Sequence, residues 1–242
     1  MSLIGVYFGH SFVRRFSEDC FYDSGLMNTY FTNPHSPYCA ERLAEHFHIS
    51  NYFTKLYSVS RNINVASDYI ASCSTVLNLA PSVVFLEVGS NDLVHFGCDN
   101  FTESFYLAES VYGIAMRLLD TPGSTVRRVI IADVLPRAIE TLGQGVNCFL
   151  YPQKQEASFV HNSISYSNEL NFLTRRDSRI SVAFQKGFHA AGAEQKPLNP
   201  WVFSLDGIHV GRTGYFYNKY LKIVGRFLRS AAGSIRDEDS FS

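Results

Sequence analysis

Residues 84–93 read VFLEVGSNDL, an apolar, largely β-branched run that stops abruptly at a turn of Gly, Ser, Asn and Asp. The run from Val83 to Val88 is continuous rather than alternating, which predicts a strand buried on both faces, as in a parallel sheet covered by helices. Runs of the same kind recur outward from it, at Leu3 to Phe8, Phe53 to Val59, Val126 to Ala132 and Ile180 to Phe184. Between them lie segments of helical period. Leu107, Val111, Ile114, Ala115, Leu118 and Leu119 recur at three- and four-residue steps, and Tyr217, Tyr220, Leu221, Val224, Phe227 and Leu228 form a second stripe, with Lys222, Arg226 and Arg229 mostly off it. Thr213 is the expected cap of that last helix. Alternating strands and helices predict an α/β protein, a three-layer α/β/α sandwich around a central, mainly five-stranded parallel sheet.

The 242 residues fit one large domain, expected over 1–232, followed by a flexible tail over 233–242 that is rich in Ser, Asp and Glu and has no apolar face. A less regular stretch, 151–176, contains a helix-like segment from Ser163 to Leu173, and Gly187 to Pro200 reads as a loop placed to shape a pocket. Hydrophobic residues at 46% and charged residues at 18% are ordinary for a folded chain with a substantial core. The formal charge of −1 gives no field that would attract a polyanion, so nucleic acid is an unlikely partner for this domain alone.

The first eight residues, MSLIGVYF, lack the basic segment and long apolar core of a secretory signal. No apolar run approaches the roughly 18 residues of a membrane span. A soluble, cytoplasmic protein is the expectation, and the sequon at Asn100 then carries no glycan. The five cysteines, Cys20, Cys39, Cys73, Cys98 and Cys148, show no CxxC spacing and are read as reduced thiols. The many aromatics, 20 Phe and 14 Tyr, recur in strands and on helix stripes and are read mostly as core.

Ligands of open parallel sheets bind beyond the carboxyl ends of the strands. Three polar segments fall there: Gly9-His10-Ser11 after the first strand, Gly89-Ser90-Asn91-Asp92 after the third, and Asp206-Gly207-Ile208-His209 after the fifth strand and its loop. A serine hydroxyl needs a neighbouring imidazole to accept its proton as it attacks a carbonyl, and a carboxylate to orient that imidazole. Ser11, His209 and Asp206 fit these roles. The negative charge of a tetrahedral intermediate needs fixed donors, which the Asn91 amide and the Ser11 N–H would supply. Singly, each element has an ordinary reading: Gly and Ser after a strand make turns, Asn caps helices, and Asp-x-x-His arises by chance. Their chain order and shared position at strand ends favour catalysis. His35, His46, His48, His161 and His189 show no partner pattern and are read as ordinary polar residues, and His95 as a solvated loop position. His10 is read either as shaping the turn or as taking part in catalysis.

These blocks resemble the SGNH/GDSL hydrolase superfamily. Residues 84–93 look like its Gly-x-Asn-Asp block, residues 206–214 like its terminal Asp-x-x-His block, and 132–137 like the segment after its fourth strand. The resemblance implies a flavodoxin-like fold and a serine esterase cleaving small acyl esters, acetyl or short-chain, of a lipid or an acetylated sugar, through an acyl-enzyme and without metal or organic cofactor. Two departures stand out. His10 replaces the family's usual aspartate, and GHSFVRR over 9–15 resembles a variant associated with esterase domains encoded in animal retroelements. The second-block glycine, an oxyanion donor in the family, is replaced within residues 59–62, where Arg61 is the first choice for the donor and Ser60 the alternative. That change motivates a second expectation, a catalytically weakened binding or interaction domain, and the retroelement resemblance a further one, an accessory domain of a nucleic-acid-associated protein. The absence of Gly-x-Ser-x-Gly argues against the α/β-hydrolase elbow.

Overall fold

The computed structural model describes residues 3–22, 37–61, 65–95, 101–135, 152–183 and 215–241. Within them lie strands β1 (Leu3–Gly9), β2 (Phe53–Ser60), β3 (Val83–Glu87), β4 (Arg128–Ala132) and β5 (Ile180–Ala183). The helices are α1 (Ser11–Tyr22), α2 (Pro37–His46), α3 (Cys73–Leu77), α4 (Ser90–His95), α5 (Phe101–Asp120), α6 (Pro152–Thr174) and α7 (Tyr215–Phe241), with a 3-10 segment at Ala66–Ser72. The strands form one sheet in the order β2-β1-β3-β4-β5, every pair parallel. The expected three-layer, five-stranded α/β architecture is therefore the observed one.

Two apolar cores, one on each face, account for the unbroken hydrophobicity of the strands. Val6 and Phe8 of β1, Val84 and Leu86 of β3, and Val129 and Ile131 of β4 face α5, α6 and the 3-10 segment. The alternate residues Tyr7, Phe85 and Ile130 face α1, α2 and α7. The connections explain which helix lies where. The chain steps from β1 to β2 in one direction along the sheet, and from β2 through β5 in the other. Right-handed crossovers then place the two sets of connecting helices on opposite faces.

Strand boundaries move for identifiable reasons. β4 begins at Arg128 instead of Val126, where the amides of Arg127 and Arg128 both donate to the Ser82 carbonyl just ahead of β3. β3 ends at Glu87 ahead of Gly89, whose φ of +102° is a conformation that side chains with a Cβ rarely adopt.

The end of the chain requires a correction. The tail expected to be flexible from Gly233 instead continues α7 through Phe241. Its apolar stripe does not stop at Leu228: Ala231, Ala232 and Ile235 extend it into the core. Beyond them Glu238 and Asp239 meet Arg127 and Arg128 at the start of β4, with Arg127 2.8 Å from Glu238 and 2.6 Å from Asp239. The acidic residues that suggested a solvated tail are the ones that tie the last turns down. Phe227, placed on the buried stripe, is only partly buried against the core. Thr213 and the loop 187–200 lie outside the described residues.

Candidate active site

The site is built where β1 lies between β2 and β3. Gly9 is in register with Ser60 on one side and Glu87 on the other. A Cβ on Gly9 would lie 2.1 Å from the Glu87 carbonyl oxygen, so only glycine lets the backbone pass at this point. The sequence motif had suggested a turn glycine; the requirement is close strand approach. The next amide, that of His10, donates to the Glu87 carbonyl at 3.4 Å, and the His10 carbonyl accepts from Arg14 N–H, opening α1. Ser11 is thus the first residue of a 12-residue helix and half-buried. The leading amides of such a helix have no intrahelical acceptor and carry the positive end of its dipole.

After β3, the left-handed Gly89 turns the chain into α4, with the Leu93 amide returning to the Gly89 carbonyl at 3.3 Å. Ser90 and Asn91 are the first two residues of α4, the former buried and the latter half-buried. The two strand ends are joined through one side chain. His10, only 3% exposed, places Nε2 3.1 Å from Ser90 Oγ and Nδ1 3.4 Å from Ser11 Oγ. Asp92 secures the other side of the turn, accepting the Ala66 amide at 2.9 Å and so fastening α4 to the 3-10 segment that follows β2.

Arg61 is the first choice for a third oxyanion donor. Its N–H donates to the Gly9 carbonyl at 2.9 Å, extending the β1–β2 ladder by one residue, and its guanidinium donates to Thr75 Oγ1 at 2.9 Å. The amide proposed to meet an oxyanion is therefore already engaged within the sheet. Ser60, the alternative, is the last residue of β2 and half-buried. Asp206 and His209 lie outside the described residues. His46, read as an ordinary polar residue, has its Nε2 2.9 Å from the Tyr217 hydroxyl, linking α2 to α7.

Directly behind the nucleophile strand is a cluster that sequence reasoning missed. The buried Glu87 carboxylate accepts from the Tyr7 hydroxyl at 2.5 Å and from the Tyr220 hydroxyl, and the two hydroxyls are 2.7 Å apart. Burial pushes the carboxyl up to about 7, against the opposing pull of both hydrogen bonds. Burial first, then the charge of Glu87, raises both tyrosines well above their usual range. The available signal was a glutamate inside an otherwise apolar strand, which must find donors if it is buried. Among the described residues no three His, Cys, Asp or Glu side chains gather as metal ligands, and no helix is long and apolar enough to cross a membrane.

A parallel sheet in this order is a doubly wound, flavodoxin-like α/β fold, and solved structures of esterases and hydrolases share it. An acetyl xylan esterase, AlAXEase, superposes with a TM-score of 0.53 at 15% identity, over 95% of this chain and 99% of its own. Est24, a carbohydrate acetylesterase from Sinorhizobium meliloti, gives 0.54 at 12% identity over 96% and 99% of the two chains. LAE5, an α/β hydrolase enzyme from the metagenome of Lake Arreo, Spain, gives 0.52 at 16% over 96% and 97%. At such identities the likeness is one of fold. No protein-family model matches the sequence, and no curated protein matches it.

Proposed function

We propose that the protein is a serine esterase acting on small acyl esters, with Ser11 as nucleophile, His209 as general base and Asp206 orienting that base. The observation that carries the reading is the meeting of two polar turns at one crevice. Ser11 opens α1 after β1 and Asn91 lies in the first turn of α4 after β3, and the neighbours of both, His10 and Ser90, are hydrogen-bonded to each other. This crevice lies where the strand order reverses direction, the usual binding place in a doubly wound sheet.

In this reading Ser11 Oγ attacks the ester carbonyl carbon while its proton passes to the His209 imidazole. The carbonyl π pair moves onto oxygen, where the Asn91 amide and the Ser11 N–H hold the negative charge, with Ser60 as the alternative third donor at the end of β2. The tetrahedral species collapses, the alcohol leaves with the proton from the imidazolium, and the acyl group stays on Ser11. Water, deprotonated by His209, then releases the acid. The fold neighbours that act on acetyl xylan and on carbohydrate acetyl groups support an acetylated sugar as the substrate class.

The test is hydrolysis of p-nitrophenyl acetate and butyrate by the wild type and Ser11→Ala, with a fluorophosphonate probe and mass spectrometry to locate the adduct. Label on Ser11, and turnover lost with Ser11→Ala, is the expected result. Equal turnover by the two proteins and no adduct would leave a non-hydrolytic binding domain in its place.

A further inference from the structure

We propose that His10 is a positioning residue for the nucleophile, donating from Nδ1 to Ser11 Oγ while Ser90 donates to Nε2. The inference rests on the serine-esterase reading above and concerns a residue to which that mechanism gives no part. Three observations carry it. The imidazole is almost wholly buried, with its edge set against Phe12 at a centroid distance of 5.3 Å, so its plane is held. Its backbone is anchored to β3 through the His10 N–H and Glu87 carbonyl, which fixes the ring relative to the turn bearing Ser90. Its two nitrogens then face two different serine hydroxyls, Ser90 at 3.1 Å and Ser11 at 3.4 Å.

A neutral imidazole has one N–H and one lone pair, so it serves those two hydroxyls in opposite senses. With Ser90 O–H donating to Nε2, the proton is on Nδ1, and Nδ1–H donates to Ser11 Oγ. The Ser11 hydroxyl then keeps its own proton for the base, and its rotation about Cα–Cβ is restrained. The opposite tautomer would turn the Ser11 proton towards His10 and away from the base. At 3.4 Å the bond to Ser11 is long, so it orients the oxygen while withdrawing little of its electron density. A carboxylate at this position could only accept, and would draw the serine proton towards itself.

The experiment compares wild type, Ser11→Ala, His10→Phe, His10→Asn and Ser90→Ala in fluorophosphonate labelling rate, in kcat and KM for p-nitrophenyl acetate, and in the pH profile of kcat/KM. His10→Phe keeps a planar ring against Phe12 and removes both hydrogen bonds. It should lower labelling rate and kcat together by roughly 10- to 100-fold with KM little changed, as expected when a nucleophile loses its orientation. His10→Asn, which retains a donor near the place of Nδ1, should recover much of that loss and keep the acidic limb of the wild-type pH profile. Ser90→Ala, which removes the partner of Nε2, should cost about 3- to 10-fold in kcat, orders of magnitude less than deletion of the nucleophile. A His10→Phe protein as fast as wild type overturns the proposal. So does a shifted or vanished acidic limb in His10→Asn, because His10 would then be the base itself. If His10→Phe does not fold, an unchanged rate in Ser90→Ala overturns the proposed arrangement. Loss of activity in Ser11→Ala beside full activity in His10→Phe sinks this inference alone, whereas full activity in Ser11→Ala sinks the esterase reading and this one with it.

Discussion

Gly9 and Glu87 are paired across β1 and β3, and each shows how a single residue in this sheet answers to its neighbours. Gly9→Ala places a methyl group 2.1 Å from a carbonyl oxygen of the neighbouring strand, which is backbone and cannot turn aside. Overpacking of that kind costs about 1–3 kcal/mol or more, so urea unfolding should show a clearly lowered midpoint, and an unshifted midpoint would contradict the close approach. Glu87 makes stability depend on pH in the direction opposite to an ordinary salt-bridged carboxylate. Its carboxyl, raised from 4.5 to about 7 by burial, stays protonated in the folded chain over a range where the unfolded chain has released the proton. The folded state then binds more protons, and stability falls as pH rises from about 4.5 to about 7, levelling off above. Glu87→Gln keeps acceptors for Tyr7 and Tyr220 without the ionisation. Its Tm should therefore decline less between pH 5 and pH 8 than that of the wild type, and parallel Tm curves would show that Glu87 does not titrate in this window.

At the scale of elements, α7 deserves comparison with the ordinary fate of a polar C-terminus. Two kinds of contact hold its last turns, and they should differ in weight. Ile235 is fully buried in the core that α7 shares with the sheet. Ile235→Ala should cost about 2–4 kcal/mol, read as a lowered urea midpoint, in the range for deleting a buried aliphatic side chain. Glu238 is exposed, and its pairs with Arg127 and Arg128 are screened by solvent and salt. Glu238→Gln should barely move the same midpoint. A larger effect from Glu238→Gln than from Ile235→Ala would mean that the ion pairs, and not the apolar stripe, keep the end of the helix in place.

Across the whole molecule, scaffold and chemistry separate cleanly. The sheet reverses its strand order between β1 and β3, and Ser11 and Asn91 lie just past that point, on helix starts outside the two cores. Substitutions there should change rate without changing stability. Asn91→Ala should lower kcat for p-nitrophenyl acetate by about 10²- to 10³-fold, the effect of losing one oxyanion donor, with its unfolding midpoint near that of the wild type. Ile235→Ala should do the reverse at temperatures where it is folded. An Asn91→Ala protein with full turnover would remove Asn91 from the proposed site.

The sequence by itself determined the sheet, because unbroken apolar runs such as 83–88 have no stable place except between two helical layers, and the order of those runs with their connecting helices leaves few right-handed solutions. It also marked Ser11 and Asn91, since polar residues directly after buried strands must come out at the sheet's carboxyl edge. Only the tertiary structure decided the rest, because each remaining fact depends on what a distant segment brings. The Arg61 amide is engaged by Gly9 because β2 pairs one residue further along β1, and a pairing limit is not written in either strand alone. The tail continued as helix because Ala231, Ala232 and Ile235 find the core of the opposite layer, and Arg127 and Arg128 stand where Glu238 and Asp239 arrive. Glu87 found its donors in Tyr7, 80 residues away, and Tyr220, 133 residues away. Periodicity reports which face of an element is apolar; which polar groups meet across the layers is settled only when the layers are packed.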